Sequence, residues 1–152
     1  EIRATVSLPL PAYIPPDYLP DEAERLKYYK ELMSADEAKT KILLTRLADL
    51  CGPVPPEVLN LTRVFSLSAH AGEMKVQHID ASDGKLEFSF ARDFKMPADF
   101  PTRLFKRYGA EHLEFLKSNS GDGIRLYFPP KTDLVKEAED AICFLQTLTP
   151  GA

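Results

Sequence analysis

The sequence predicts an α+β fold: three N-terminal helices packed with a mostly antiparallel sheet made of hairpins, plus a short helix and an amphipathic C-terminal helix. Three observations predict it. Apolar residues recur at helical spacing three times before residue 72, the pattern changes to alternation after residue 73, and no regular strand-helix-strand crossover joins the strands. A length of 152 residues falls in the single-domain range. Residues 1–152 are therefore expected to form one domain: strand and proline-rich arm (1–20), three helices (21–72), then a sheet with two helices (73–152).

Ile2, Ala4, Val6 and Leu8 alternate with Arg3, Thr5 and Ser7, the period of a strand with one buried face. In residues 9–20, repeated prolines remove amide donors and forbid helix. Tyr13, Ile14, Tyr18 and Leu19 give this arm more apolar area than a free linker carries, so it is expected to lie on another surface, with disorder as the competing reading. Asp21 with Glu24 makes a capping box, and Leu26, Tyr29 and Met33 supply the stripe of a first helix ending near Ser34. Ser34 with Glu37 makes a second capping box ahead of Leu43, Leu47 and Leu50, on a second helix that Gly52-Pro53 stops. Pro55-Pro56-Glu57 opens a third helix, with Val58, Leu61, Phe65 and Leu67 or Ser68 inward and Gly72 at its end.

Residues 76–80 and 86–90 flank Ser82-Asp83-Gly84 and predict a hairpin with a strongly aromatic face. Phe100, Leu104 and Tyr108 mark a short helix between Pro97 and Gly109, which starts late or carries Pro101 in its first turn. Residues 112–116 and 124–128 make a second strand pair around a polar loop, 117–123. Leu134, Ala138, Ile142, Leu145 and Leu148 give the final helix, whose outer face carries Lys136, Glu137, Glu139 and Asp140. The first strand has no assigned place in the sheet.

Hydrophobic residues at 44% and charged residues at 28% exclude neither an enzyme nor a binding module. A net charge of -4 argues against a duplex-binding surface, so no direct nucleic-acid partner is expected. Cys51 and Cys143 belong to no CxxC pair or ligand cluster and are expected as reduced core thiols. With no secretory leader, no apolar run long enough for a bilayer and no cysteine framework, the expected compartment is the cytoplasm, without a membrane partner. An opening at Glu1 that runs directly into an extended segment suggests a fragment of a larger polypeptide, a reading that a processed or tagged chain shares.

No constellation carries catalysis. His70, His78 and His112 lack the i, i+4 spacing that puts two ligands on one helix face. Ser120-Gly121-Asp122-Gly123 lacks a phosphate-loop pattern and leads into a strand, so it reads as a hairpin loop. Glu137, Glu139 and Asp140 fall on a solvated helix face, and Cys51 sits at a helix C-terminus, which raises a thiol pKa and disfavours a nucleophile. Lys106-Arg107 with Tyr108 is common surface composition. Neither a cofactor nor a metal is expected, and the residues alone indicate an α+β interaction domain of unknown partner.

The segment Leu10-Pro11-Ala12-Tyr13-Ile14-Pro15-Pro16-Asp17-Tyr18-Leu19-Pro20-Asp21, with Arg25-Leu26 and Tyr28-Tyr29-Lys30 after it, resembles the opening of the C-terminal domain of bacterial transcription-repair coupling factors (Mfd). Leu47-Ala48-Asp49-Leu50-Cys51-Gly52-Pro53-Val54-Pro55-Pro56-Glu57-Val58 is similar to that family's next helix end, and the likeness extends over nearly the whole chain. The resemblance implies a parent ATP-dependent DNA translocase that displaces stalled RNA polymerase and recruits UvrA for nucleotide-excision repair, with its motors elsewhere. It implies for this chain a monomeric, non-catalytic domain that packs on the parent's N-terminal UvrB-like module and covers the UvrA-binding surface there. The family's contact pattern, Glu-Leu-x-Asp-Arg-aromatic-Gly, is matched by Asp49 and Gly52, while Arg46, Leu50 and Cys51 depart from it. Asp49, Arg46, Leu50 and Gly52 are thus the expected interdomain contact. The alternative is a generic interaction domain for RNA polymerase or another repair factor.

Overall fold

The computed structural model describes residues 3–148, which form five α-helices and a five-stranded, mostly antiparallel sheet, an α+β fold. Ile2, the first residue of the predicted strand, lies outside the described residues. Contacts divide the chain into two compact units: unit 2 is Leu10–Ser66, and unit 1 comprises the described residues on either side of it. The division falls within the third helix, α3 (Pro56–Glu73).

Unit 1 is built on a sheet of order β1-β2-β3-β5-β4. β1 (Thr5–Ser7) takes the edge and pairs parallel to β2 (Val76–Ser82), with Thr5 opposite His78. β2 and β3 (Lys85–Phe90) form the predicted hairpin. Its two turn residues, Asp83 at φ 50° and Gly84 at φ 74°, are both left-handed, as a two-residue turn matched to strand twist requires. Alternation then buries Leu86, Phe88 and Phe90 on one face.

The second hairpin is tighter than the predicted seven-residue loop. β4 (Leu113–Ser118) and β5 (Gly121–Tyr127) leave only Asn119 and Ser120 between them, so Gly121-Asp122-Gly123 is strand rather than loop. A side chain at Gly121 or Gly123 would collide with the backbone carbonyl of Phe90 or Phe88, so these glycines permit close approach to β3. The helix α4 (Phe100–Tyr108) carries Pro101 in its first turn, and α5 (Leu134–Leu148) buries Leu134, Ala138, Ile142, Leu145 and Leu148. These side chains join Phe88, Phe90, Phe100, Leu104, Ile124 and Leu126 in one core, where Phe90 and Phe94 stack at 4.2 Å. Cys143 is exposed, against the expectation of a core thiol, because the buried stripe of α5 passes through Ile142 and Leu145 on either side of it.

Unit 2 contains α1 (Glu22–Ser34), α2 (Glu37–Cys51), the first part of α3 and the proline-rich arm. The arm is ordered: Ile14 and Leu19 are buried, and the Ile14 amide donates to the Tyr29 hydroxyl at 2.7 Å. Asp21 caps α1 as expected, accepting from the Glu24 amide at 3.1 Å. Two local expectations are corrected. The cap of α2 is Asp36, which accepts from the Lys39 amide at 2.8 Å, whereas Ser34 ends α1 and its hydroxyl donates to the Lys30 carbonyl at 3.1 Å. An extended Ala35 separates the helices and sets a carboxylate, rather than the hydroxyl, at the first free amides. The inner face of α1 is Tyr28 and Leu32, while Leu26 and Met33 are exposed at 55% and 43%. Tyr29 stays half-buried because its hydroxyl holds the arm.

Candidate functional site

α2 positions the expected contact residues. Leu43 and Leu47, one turn apart, are fully buried and anchor the helix in the core of unit 2. Beside that seam, Ile42, Arg46, Asp49 and Leu50 follow the i, i+4, i+7, i+8 spacing of a single helix face. This face is outward: Ile42 is 54% and Leu50 67% exposed, and Arg46 and Asp49 are exposed as well. Leu50 therefore departs from the inward stripe expected of it. At 100° per residue it falls at the edge of the buried arc that Leu43 and Leu47 define.

The end of the helix is fixed by two independent contacts. Gly52, at φ 92° and ψ -171°, turns the chain out of the helix in a region open essentially to glycine, and its amide still donates to the Ala48 carbonyl at 3.0 Å. Tyr18 from the arm donates its hydroxyl to the Gly52 carbonyl at 2.8 Å, and burial, followed by the nearby Cys51, raises its pKa. Cys51 itself is half-buried and packs against the unit 2 core, which is a packing role. Asp49 and Leu50 are thus presented from a backbone held on both sides.

This face carries one charge of each sign, Arg46 and Asp49. Arg46 pairs with Glu31 of α1 at 3.8 Å, with both side chains partly in solvent. Such a pair contributes under about 1 kcal/mol, but it directs the cation toward the neighbouring helix and leaves Asp49 as the acid of the outward face. Arg46, Asp49 and Leu50 are brought together on α2, while Gly52 acts through the backbone. Ile42 and Glu31 were missed by motif reading. Ile42 was legible from its spacing to Arg46 and Leu50; Glu31 was not, because its pairing crosses between helices.

Other sequence candidates do not assemble. His70 lies on α3, His78 on β2 and His112 just before β4, and among the described residues no group of three or more His, Cys, Asp or Glu is placed to hold a metal ion. No helix among them is long and apolar enough to cross a membrane. The apolar surface is concentrated instead: of the large apolar side chains left exposed among the described residues, Tyr13, Leu26, Met33, Ile42, Leu50 and Leu59 belong to unit 2, and Phe105 to unit 1.

Comparison with known proteins matches residues 8–100 to the TRCF domain. The chain is 32% identical over 135 residues to the transcription-repair-coupling factor of Haemophilus influenzae, covering 83% of this chain and 12% of that protein. It is 29% identical over 94 residues to the transcription-repair-coupling factor of Myxococcus xanthus, covering 61% of this chain and 8% of that protein. It therefore spans a small share of the length of these relatives. A crystal structure of the C-terminal domain of a transcription-repair coupling factor has the same fold, with a TM-score of 0.73 at 20% identity over 97% of this chain and 92% of that one.

Proposed function

This chain belongs to the TRCF domain family, and from that membership we propose that it is a non-catalytic regulatory domain that docks on the N-terminal UvrB-like module of its parent protein and masks the UvrA-binding surface there. The observation that carries this reading is the outward face of α2, where Asp49 and Leu50 stand on a helix end fixed by Gly52 and Tyr18. A docking surface needs side chains that are exposed but preorganised, so that little entropy is lost on binding. The parent, acting in the bacterial cytoplasm as an ATP-dependent DNA translocase, supplies the energy, while RNA polymerase and UvrA meet this domain only indirectly.

Mechanistically the domain is a latch with docked and released states a few kcal/mol apart, and engagement of polymerase favours release. Arg46 and Leu50 change two charges of the family contact, so the latch here relies on Asp49 more than on a network. Deleting residues 1–152 from the parent is expected to lower the Kd for UvrA, measured by titration calorimetry. Equal affinity with and without the domain overturns masking. In the same assay Asp49→Arg should mimic part of the deletion. Capture of RNA polymerase but not of the UvrB-like module would favour a generic interaction domain instead.

A further inference from the structure

We infer that the groove between α4 and α5 of unit 1 is a second binding site, one that takes a short acidic peptide segment of a partner protein. A cavity of about 460 Å³ lies there, lined by Arg103, Lys106, Arg107 and Phe144. In a chain with net charge -4, these three cations within five residues are a local reversal of sign. They stand at i, i+3 and i+4 on α4, one face of one helix.

Arg107 is preorganised. Its guanidinium lies 4.7 Å from the Phe144 ring centroid and 5.5 Å from that of Tyr108, and the two rings meet edge to face at 6.3 Å. A guanidinium stacked on a ring is held by its π face and keeps its N–H edge available for a bidentate acceptor. Arg103 has Asp99 at 3.9 Å with both groups in solvent, and the carboxylates nearest the groove from α5 are Glu137 and Asp140, which act on Tyr108 beside Arg107. On α5, Asp140 is taken up by Lys136 at 3.7 Å. The Tyr108 hydroxyl beneath this cluster is buried beside Arg107.

The ligand chemistry follows from the spacing. Three cations around one aromatic floor suit two or three carboxylates with an apolar side chain between them. A nucleic-acid strand fits less well, because the chain's net charge of -4 repels an extended polyanion more than a short acidic segment.

The test is fluorescence anisotropy of the 152-residue chain with a labelled hexapeptide of five glutamates and one leucine, beside a labelled oligothymidylate of equal charge. Saturable peptide binding is expected below about 1 mM, tighter than the oligonucleotide and weakening with salt. The double change Arg103→Glu with Lys106→Glu should weaken it roughly tenfold or more, and Arg107→Lys, which keeps the charge but loses the fork, by a smaller factor. Both sets of changes are on exposed side chains, and unchanged circular dichroism checks the fold. No saturation with the peptide, an unchanged Kd in the double variant, or tighter binding of the oligonucleotide each overturns the inference. None of these outcomes bears on the latch of α2, which is tested by UvrA affinity.

Discussion

Gly52 is the residue on which the α2 face depends most directly. Its φ of 92° with ψ of -171° is a conformation that a Cβ makes costly, although no neighbouring atom occupies the space. Gly52→Ala is therefore expected to cost about 1–3 kcal/mol by backbone strain alone, read as a lower denaturant midpoint at constant slope. A second residue-scale effect depends on pH. The Glu114 carboxylate accepts from the Tyr127 hydroxyl at 2.7 Å and from Arg125 at 3.0 Å. The Tyr127 hydrogen bond first, and Arg125 after it, hold its pKa below the ordinary 4.5. A depressed carboxylate stabilises the fold in full above its unfolded value and loses that contribution as pH falls through the folded one. Wild type and Glu114→Gln should thus differ in Tm at neutral pH and converge at acid pH, in thermal melts across that range. The Gly-Pro pair announced Gly52 in the sequence, whereas the tyrosine hydroxyls that brace Gly52 and Glu114 come from 34 and 13 residues away and leave no local trace.

Among the elements, α2 shows which local signals govern. Both Ser34 and Asp36 are good caps in isolation, and spacing to Glu37 favoured the serine. The structure uses Asp36, so Asp36→Ala should cost about 1 kcal/mol and Ser34→Ala distinctly less, compared by urea denaturation of the two variants. The same competition explains α1. Leu26, Tyr29 and Met33 and the pair Tyr28 and Leu32 both follow helical spacing, and only tertiary packing against Leu43 and Leu47 selects the second set. Strands were read better because alternation names a face outright: Leu86, Phe88 and Phe90 all point inward as expected. The second hairpin was misjudged because Gly121 and Gly123 look like loop residues, and their reason for being glycine is the carbonyls of Phe90 and Phe88 on the neighbouring strand. The arrangement of the α2 candidate residues was half legible for a related reason. Spacing shows that Arg46, Asp49 and Leu50 share a side, but not that Arg46 leans on Glu31.

At the scale of the whole molecule, the chain of unit 1 is interrupted by unit 2, so β1 and β2 are neighbours in the sheet while unit 2 lies between them in sequence. The β2–β3 hairpin closes across two residues, but joining Thr5 to His78 closes a loop of roughly 70 residues at far greater entropic cost. Amides of the two hairpins should gain protection before those of the β1–β2 ladder in pulsed hydrogen exchange during refolding. Simultaneous protection would show that the parallel edge forms with the nucleus. During synthesis the order of emergence imposes the same delay. At roughly 5–20 residues per second, a nascent Thr5–Ser7 segment waits several seconds for its mate to leave the ribosome. A ribbon of only three residues offers a stray chain very little to grip in that interval, so its brevity protects the newborn protein at the moment it is most exposed.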